Sequence, residues 1–237
     1  MQKQRDLHET QYDFELQKIT LINLKSKTKK ERKAKRYIKQ MSKDIYRSLF
    51  VFLKPTEIRG TGLLNWQNED RDADQWIYLP VRKKMQRIAG SGKKRYFMGT
   101  DFTYEDLEIE KIKDYSYQCT EEKECGKKKK CYIVKAIAKN KKLKKNTGYS
   151  HRLLWIQKDN FITKKIKFFD KRSKYLKTQM NEGFKEFTKN KWRPSKMTMT
   201  RGKKHKTIIE TTKRDVKTKI KDSIFKERFL LSGRHVK

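Results

Sequence analysis

The chain has 237 residues and sets 64 Lys and Arg against 28 Asp and Glu, a formal net charge of +36 with only 34% hydrophobic residues. No run approaches the ~20 apolar residues that a membrane-spanning helix needs, while 11% aromatics and three prolines speak for a folded chain long enough to bury one core. Three explanations of the charge stand side by side: counterion release from nucleic-acid phosphates, attraction to an anionic membrane surface, or a lysine-biased exterior, which the even spread of lysine favours.

The N-terminal MQKQRDLHETQ is polar and shows no apolar core of a signal peptide. Residues 12–24 alternate as a strand, with Tyr12, Phe14 and Leu16 on one face, then change phase at Ile19 and Leu21, the mark of a bulge. Residues 29–49 read two ways. Ala34, Ile38, Met41, Ile45 and Leu49 recur at helical spacing, yet 49–53 is a buried-strand run. Pro55 ends that run, a short helical turn over 55–59 follows, and Thr61 to Trp66 resumes as a strand before a polar loop. Trp76 to Leu79 form the next strand, stopped by Pro80, and residues 84–88 can return beside it across a turn longer than two residues. Ser91-Gly92 and Met98-Gly99 then break the chain. Thr103 followed by Asp106 fits a capping pattern for one helical turn, and Phe97, Met98, Phe102 and Leu107 around it must tuck into a core or groove. Residues 115–119 and 131–138 read as strands joined by a turn at Cys125-Gly126 and the lysine run 127–130. Further strands follow at 149–157, 162–169, 175–180, 184–187, 196–200 and 206–212, and Asp222 is placed to cap a last helical turn with Phe225 and Phe229 on one face. Many antiparallel strands with few helices indicate a single mainly β domain. Its sheet would be strongly curved, an open or half barrel, with short helices and loops covering a concave apolar face.

The stretch DQWIYLP…RIAGS…FMGTDFTYEDL between residues 74 and 107 resembles the bacterial outer-membrane lipoprotein-sorting family, the LolA/LolB-like fold, in its exporter-associated branch. Weaker matches extend it over nearly the whole chain: VFLKPTEIRGTGLL at 51–64, RLLWIQKDNF at 152–161 and IFKERFL at 224–230. The resemblance implies two strands, about 29–39 and 44–54, where spacing alone suggests a helix. It also implies a cavity for lipid or lipoprotein acyl chains, a place in the periplasm or cell envelope, and partners in an inner-membrane exporter and an outer-membrane acceptor. That family begins with an export signal and a helix, so the chain is expected to lack its leader and part of the first helix.

No residues group as a catalytic site. Asp101, Glu105 and Asp106 have no nucleophile or base beside them, His8, His151, His205 and His235 are scattered, and no glycine loop for phosphate is present. The cysteines, spaced six and six, lack a CxxC pair, so neither a metal nor another cofactor is expected. A turn near Cys125-Gly126 would bring Cys119 opposite Cys131, able to form a disulfide and leave Cys125 free; three reduced thiols stand as the equal alternative. Trp66, Trp76, Tyr78, Phe97, Met98, Phe102, Trp155 and Phe168 are the candidate lining of a lipid cavity, each of them equally suited to plain core packing. The reading is a non-enzymatic carrier of acyl chains. The alternative is a basic nucleic-acid- or ribosome-associated protein.

Overall fold

A computed structural model describes residues 1–126 and 129–236. Three short helices, α1 (Gln2–His8), α2 (Lys141–Asn146) and α3 (Glu227–Leu231), accompany thirteen strands among the described residues. The first six strands are β1 (Tyr12–Asn23), β2 (Lys29–Ser42), β3 (Ile45–Lys54), β4 (Gly62–Trp66), β5 (Asp74–Leu79) and β6 (Lys84–Arg87). After a segment of 3-10 turns come β7 (Tyr115–Glu124), β8 (Lys130–Ala138), β9 (His151–Gln157), β10 (Thr163–Phe169), β11 (Tyr175–Thr188), β12 (Lys191–Arg201) and β13 (His205–Asp215). They form one sheet in the order β6-β5-β4-β3-β2-β1-β13-β12-β11-β10-β9-β8-β7, with β6 and β7 as edges, so the sheet is open. The fold is mainly β, as the strand count in the sequence indicated. No helix among the described residues is long and apolar enough to cross a membrane.

Residues 29–54 are two strands, and the helical stripe is an accident of spacing. The β2–β3 hairpin turns at Lys43-Asp44, with Asp44 at φ 60°, and pairs Tyr37 with Leu49. Continuous burial over Ser48 to Phe52 on β3 requires a strand covered on both faces. The chain closes β5 to β6 through a 3-10 turn, Pro80–Arg82, with Lys83 left-handed, and so avoids the two-residue hairpin that Arg82 and Lys83 would not suit. The strands expected at 175–180 and 184–187 are one, β11, because Gly183 at φ 58° lets the backbone pass a point where a Cβ would meet Ser195 Oγ at 2.3 Å. Helix α2 was not anticipated; the Asn140 side chain caps it by accepting from Leu143 N at 2.6 Å. Asp222 does not cap: it pairs with Lys39 Nζ at 2.5 Å, and the last turns are a 3-10 segment, Asp222–Phe225, followed by α3. The lysine run from 127 lies partly outside the described residues.

Two compact units divide the chain: one takes Met1–Glu9, Leu21–Lys29 and Lys93–Ile208, the other Thr10–Thr20, Lys30–Gly92 and Ile209–Lys237. In the second unit Leu49, Val51, Leu64 and Tyr78 form a buried face closed by Ile220, Phe225 and Leu230 from the C-terminal segment. Each such side chain contributes about 1.5–3 kcal/mol by leaving water. Burial on β1 keeps one phase from Asp13 through Ile19, with Thr20 buried next to it, so the switch of apolar residues at Ile19 is a change of face and not of burial phase. Its buried alternation before that is polar, though: Asp13, Glu15 and Gln17 face inward, where Arg214 on β13 pairs with Asp13 at 3.4 Å and with Glu15. Burial works against the Glu15 charge, but Arg214 and Arg36 outweigh it and hold its carboxyl below the usual range.

The polar loop between β4 and β5 is tied down by buried Asp74, which accepts from Asn68 at 3.0 Å, Arg71 at 2.6 Å and Arg87 at 2.5 Å. Burial alone would raise its pKa; Arg71, Asn68 and Arg87 together pull it down to about 2. A carboxyl depressed in the folded state stabilises it above the unfolded value near 3.9, and that contribution disappears as pH falls through about 2. Asp74→Asn is therefore expected to lower stability by about 1–2 kcal/mol at neutral pH, with the difference from the parent vanishing in acid. Urea midpoints at several pH values check this; a deficit that persists unchanged at pH 2 contradicts it.

Candidate functional site

Residues 93–114 of the first unit carry FMGTDFTYEDL, the C-terminal part of the 74–107 stretch, and they are held by their own turns before anything else. Phe97 N donates to Phe102 O at 2.8 Å, Tyr96 and Thr103 form an isolated bridge, and Met98 and Gly99 both lie at positive φ to make the bend. The capping pattern is formed: Thr103 N donates to Asp106 Oδ2 at 2.7 Å and Asp106 N donates to Thr103 Oγ1 at 3.2 Å, opening the 3-10 turn Glu105–Leu107. Phe97, Phe102 and Tyr104 are buried, as large apolar side chains in an irregular loop must be.

Four carboxylates fasten this segment to the sheet and to the connection between α2 and β9. Asp101 accepts from Thr207 Oγ1 at 2.8 Å and Arg201 Nε at 3.1 Å, while its own N–H donates to Thr207 Oγ1 at 2.9 Å. Asp106 accepts from the Tyr149 hydroxyl at 2.7 Å and pairs with Lys177, a fully buried lysine whose Nζ also donates to Asp101 O at 3.1 Å. The Lys177 ammonium lies 5.2 to 5.5 Å from the rings of Phe168, Tyr96 and Tyr149. Glu105 accepts from Gly148 N at 2.9 Å and from the Thr147 hydroxyl, and burial pushes its pKa up. Glu110 takes Tyr117 at 2.5 Å and pairs with Arg152. Burial, then Glu110, drives the Tyr117 hydroxyl well above its usual range; burial opposes the Arg152 charge, yet Glu110 keeps its guanidinium above the ordinary value. Every one of these carboxylates is engaged by donors, an arrangement that anchors the segment.

The eight candidate lining residues fall into separate groups. In the second unit Trp66 and Trp76 meet edge to face at 4.9 Å, Tyr78 joins their cluster, and Trp66 Nε1 donates to Phe225 O at 2.7 Å, so this group lies under the C-terminal segment. In the first unit Phe97 packs against Tyr104 at 5.4 Å, Phe168 against Tyr149 at 5.0 Å, Phe102 is buried and Met98 half-buried. Trp155 departs from them: its register partner is Lys165, so it points to the face of the sheet opposite that of Phe168. The sequence reading missed Lys177, Arg201, Thr207, Tyr149 and Arg152. The acidic pattern of 101–110 demands counter-charges, but nothing among 64 basic residues says which.

The cysteine pairing expected between 119 and 131 is corrected. The disulfide joins Cys125 and Cys131, Cα atoms 5.8 Å apart, and Cys119 is free and exposed. Register explains it: β7 sets Cys119 opposite Val134, displaced by an irregularity at Cys119/Glu121, while Cys131 lies opposite Lys123 and is thus a near neighbour of Cys125. Titration with a thiol reagent is expected to find one reactive thiol in the oxidised protein and three after unfolding in reductant. No group of three or more His, Cys, Asp or Glu among the described residues is placed to hold a metal ion.

A protein-family model described as an uncharacterized protein matches residues 44–232. Comparison with curated proteins finds no match. Among solved structures the chain is similar to a domain from Vibrio parahaemolyticus described as outer membrane lipoprotein-sorting, with a TM-score of 0.90, 24% identity, and coverage of 97% of this chain and 96% of that one. A DUF1329 family protein from Desulfovibrio piger gives 0.87, 25% identity, 96% and 95%. A LolA superfamily protein from Nitrosomonas europaea gives 0.75, 17% identity, and 96% of each chain. These likenesses establish a LolA-type open sheet, the fold that the 74–107 stretch implied.

Proposed function

We propose that this chain, which belongs to the family matched over residues 44–232 and is built on the LolA-type sheet, is a non-enzymatic carrier that binds the acyl chains of lipoproteins or lipids in the cell envelope. The observation that carries this reading is agreement with a lipoprotein-sorting domain over almost the whole length of both chains. Fold alone would be a weak warrant. It is supported by an anchored loop that buries Phe97 and Phe102, by Phe168 on β10 beside the Lys177–Asp106 pair, and by the engagement of the loop's four carboxylates in anchoring contacts. Acyl cargo would bind by apolar burial, about 0.8 kcal/mol per methylene, against Phe97, Met98, Phe102 and Phe168, with Trp66, Trp76 and Tyr78 as the apolar group of the other unit. An exporter in the inner membrane and an acceptor at the outer membrane would load and unload it.

Mass spectrometry of organic extracts from the purified, high-salt-washed protein tests the reading against a mock-purified control. Stoichiometric phospholipid or acylated peptide is the expected result. Extracts indistinguishable from the control, before and after incubation with diacyl lipid, would remove the carrier reading.

A further inference from the structure

The face of β8–β11 that carries Leu154, Ile166 and Phe168 holds the core of the first unit; the reverse face is organised differently. Register places Trp155, Lys165 and Met180 in one row across β9, β10 and β11, and Leu153, Lys167 and Thr178 in the next, with Lys135 beside Leu153. A third row sets His151, Phe169 and Tyr175 together. Directly paired residues share a side, so all three rows share the reverse face. Lys165 Nζ lies 3.9 Å and Lys167 Nζ 5.5 Å from the centre of the Trp155 ring; His151 stacks on Phe169 at 4.3 Å. Tyr175 and Met180 are exposed, at 50% and 38%, although large apolar side chains on a strand ordinarily seek cover.

Across β9, β10 and β11 the rows contain no Asp or Glu; the first row reaches Glu121 only at β7, beyond buried Ile133 on β8, and there Glu121 pairs with Lys123 at 3.0 Å. No ion pair of Lys135, Lys165 or Lys167 is found among the described residues. Burial, with Lys167 and Lys123 close by, lowers the Lys165 pKa. Half-buried ammonium groups crowded together without a carboxylate are an arrangement that an external anion relieves. We propose that this face docks onto an anionic phospholipid surface. Lys135, Lys165 and Lys167 would stand at phosphate level, and Tyr175, Met180 and the edge of Trp155 would enter the interfacial layer, where an amphipathic ring has one wet and one apolar side. Single-stranded nucleic acid, the other polyanion, binds sheets by stacking bases on open aromatic faces. Here Trp155 lies under two lysines and Phe169 under His151. The docking face is separate from the cargo-binding residues proposed above and does not depend on them.

The test is co-sedimentation of the full chain with phosphatidylcholine vesicles, with and without phosphatidylglycerol. Binding only to the anionic vesicles is expected. Lys165→Gln with Lys167→Gln should lower partitioning by about tenfold or more, and Tyr175→Ser with Met180→Ser should remove the part of binding that survives added salt. Lys203→Gln with Lys204→Gln, which subtracts the same charge from an exposed turn, should stay within about twofold of the parent. Circular dichroism confirms that each variant is folded. Equal loss in both lysine pairs would trace binding to net charge and overturn the proposal. So would absence of binding to anionic vesicles, or displacement by a single-stranded oligonucleotide whose own affinity depends on Lys165 and Lys167.

Discussion

Lys177→Met lowers stability by about 3–5 kcal/mol and loosens residues 97–107, because it leaves the Asp106 carboxylate buried without its cation. The Tyr149 hydroxyl and Thr103 N–H remain as donors to Asp106, but neither carries charge. The lysine also donates to Asp101 O, so two points of the loop lose one anchor at once. Urea midpoints measure the loss, and hydrogen exchange should show the amides of Asp101 to Leu107 opening ahead of the sheet. Adding Asp106→Asn to Lys177→Met should recover part of the loss, since the penalty is that of an orphaned charge and not of a missing contact. A change within about 1 kcal/mol for the single variant would mean that the pair behaves as a solvated surface bridge.

Phe225→Ala is the second large effect, about 3–5 kcal/mol, from the cavity left among Leu49, Val51, Leu64 and Leu230. Phe229, partly buried against the same cluster, should cost less than half of that when changed to Ala. Because Trp66 Nε1 donates to the backbone of Phe225 and Trp66 meets Trp76 edge to face, the Phe225 variant should also shift tryptophan emission to longer wavelength. Equal losses at 225 and 229 would contradict this packing of the C-terminal segment.

Element positions were largely legible because burial on strands leaves a short-range pattern; the order of the strands in the sheet was not. The 49–53 run, stopped by Pro55, and the 131–138 run each announce a strand by composition alone. Where spacing misled, at 29–49, the helical stripe of Ala34, Ile38 and Met41 lost to pairing with β3, a long-range term invisible in a local window. The site was legible by half. Thr103 and Asp106 cap one another as their spacing indicated, and the aromatic residues around them are buried. Their counter-charges were not, because a buried lysine at 177 reads like any of the exposed lysines around it. The inward Asp13, Glu15 and Gln17 failed for the same reason: alternation shows which residues share a face, and only the pairing with Arg214 says which face is inside.

An open sheet ends in two edge strands, β6 and β7 among the described residues, and an edge ladder can template another chain. The ends are built to refuse one. β6 is four residues long and reads Lys-Met-Gln-Arg, too short and too cationic to recruit a partner strand of like composition. β7 runs on into Glu121, Glu122, Lys123 and Glu124, all exposed, with an irregular step at Cys119/Glu121 that spoils its register for an incoming strand. The chain is thereby shielded from amyloid-like growth along its own hydrogen-bonding edges. The protection resides in the two strands with least core to contribute.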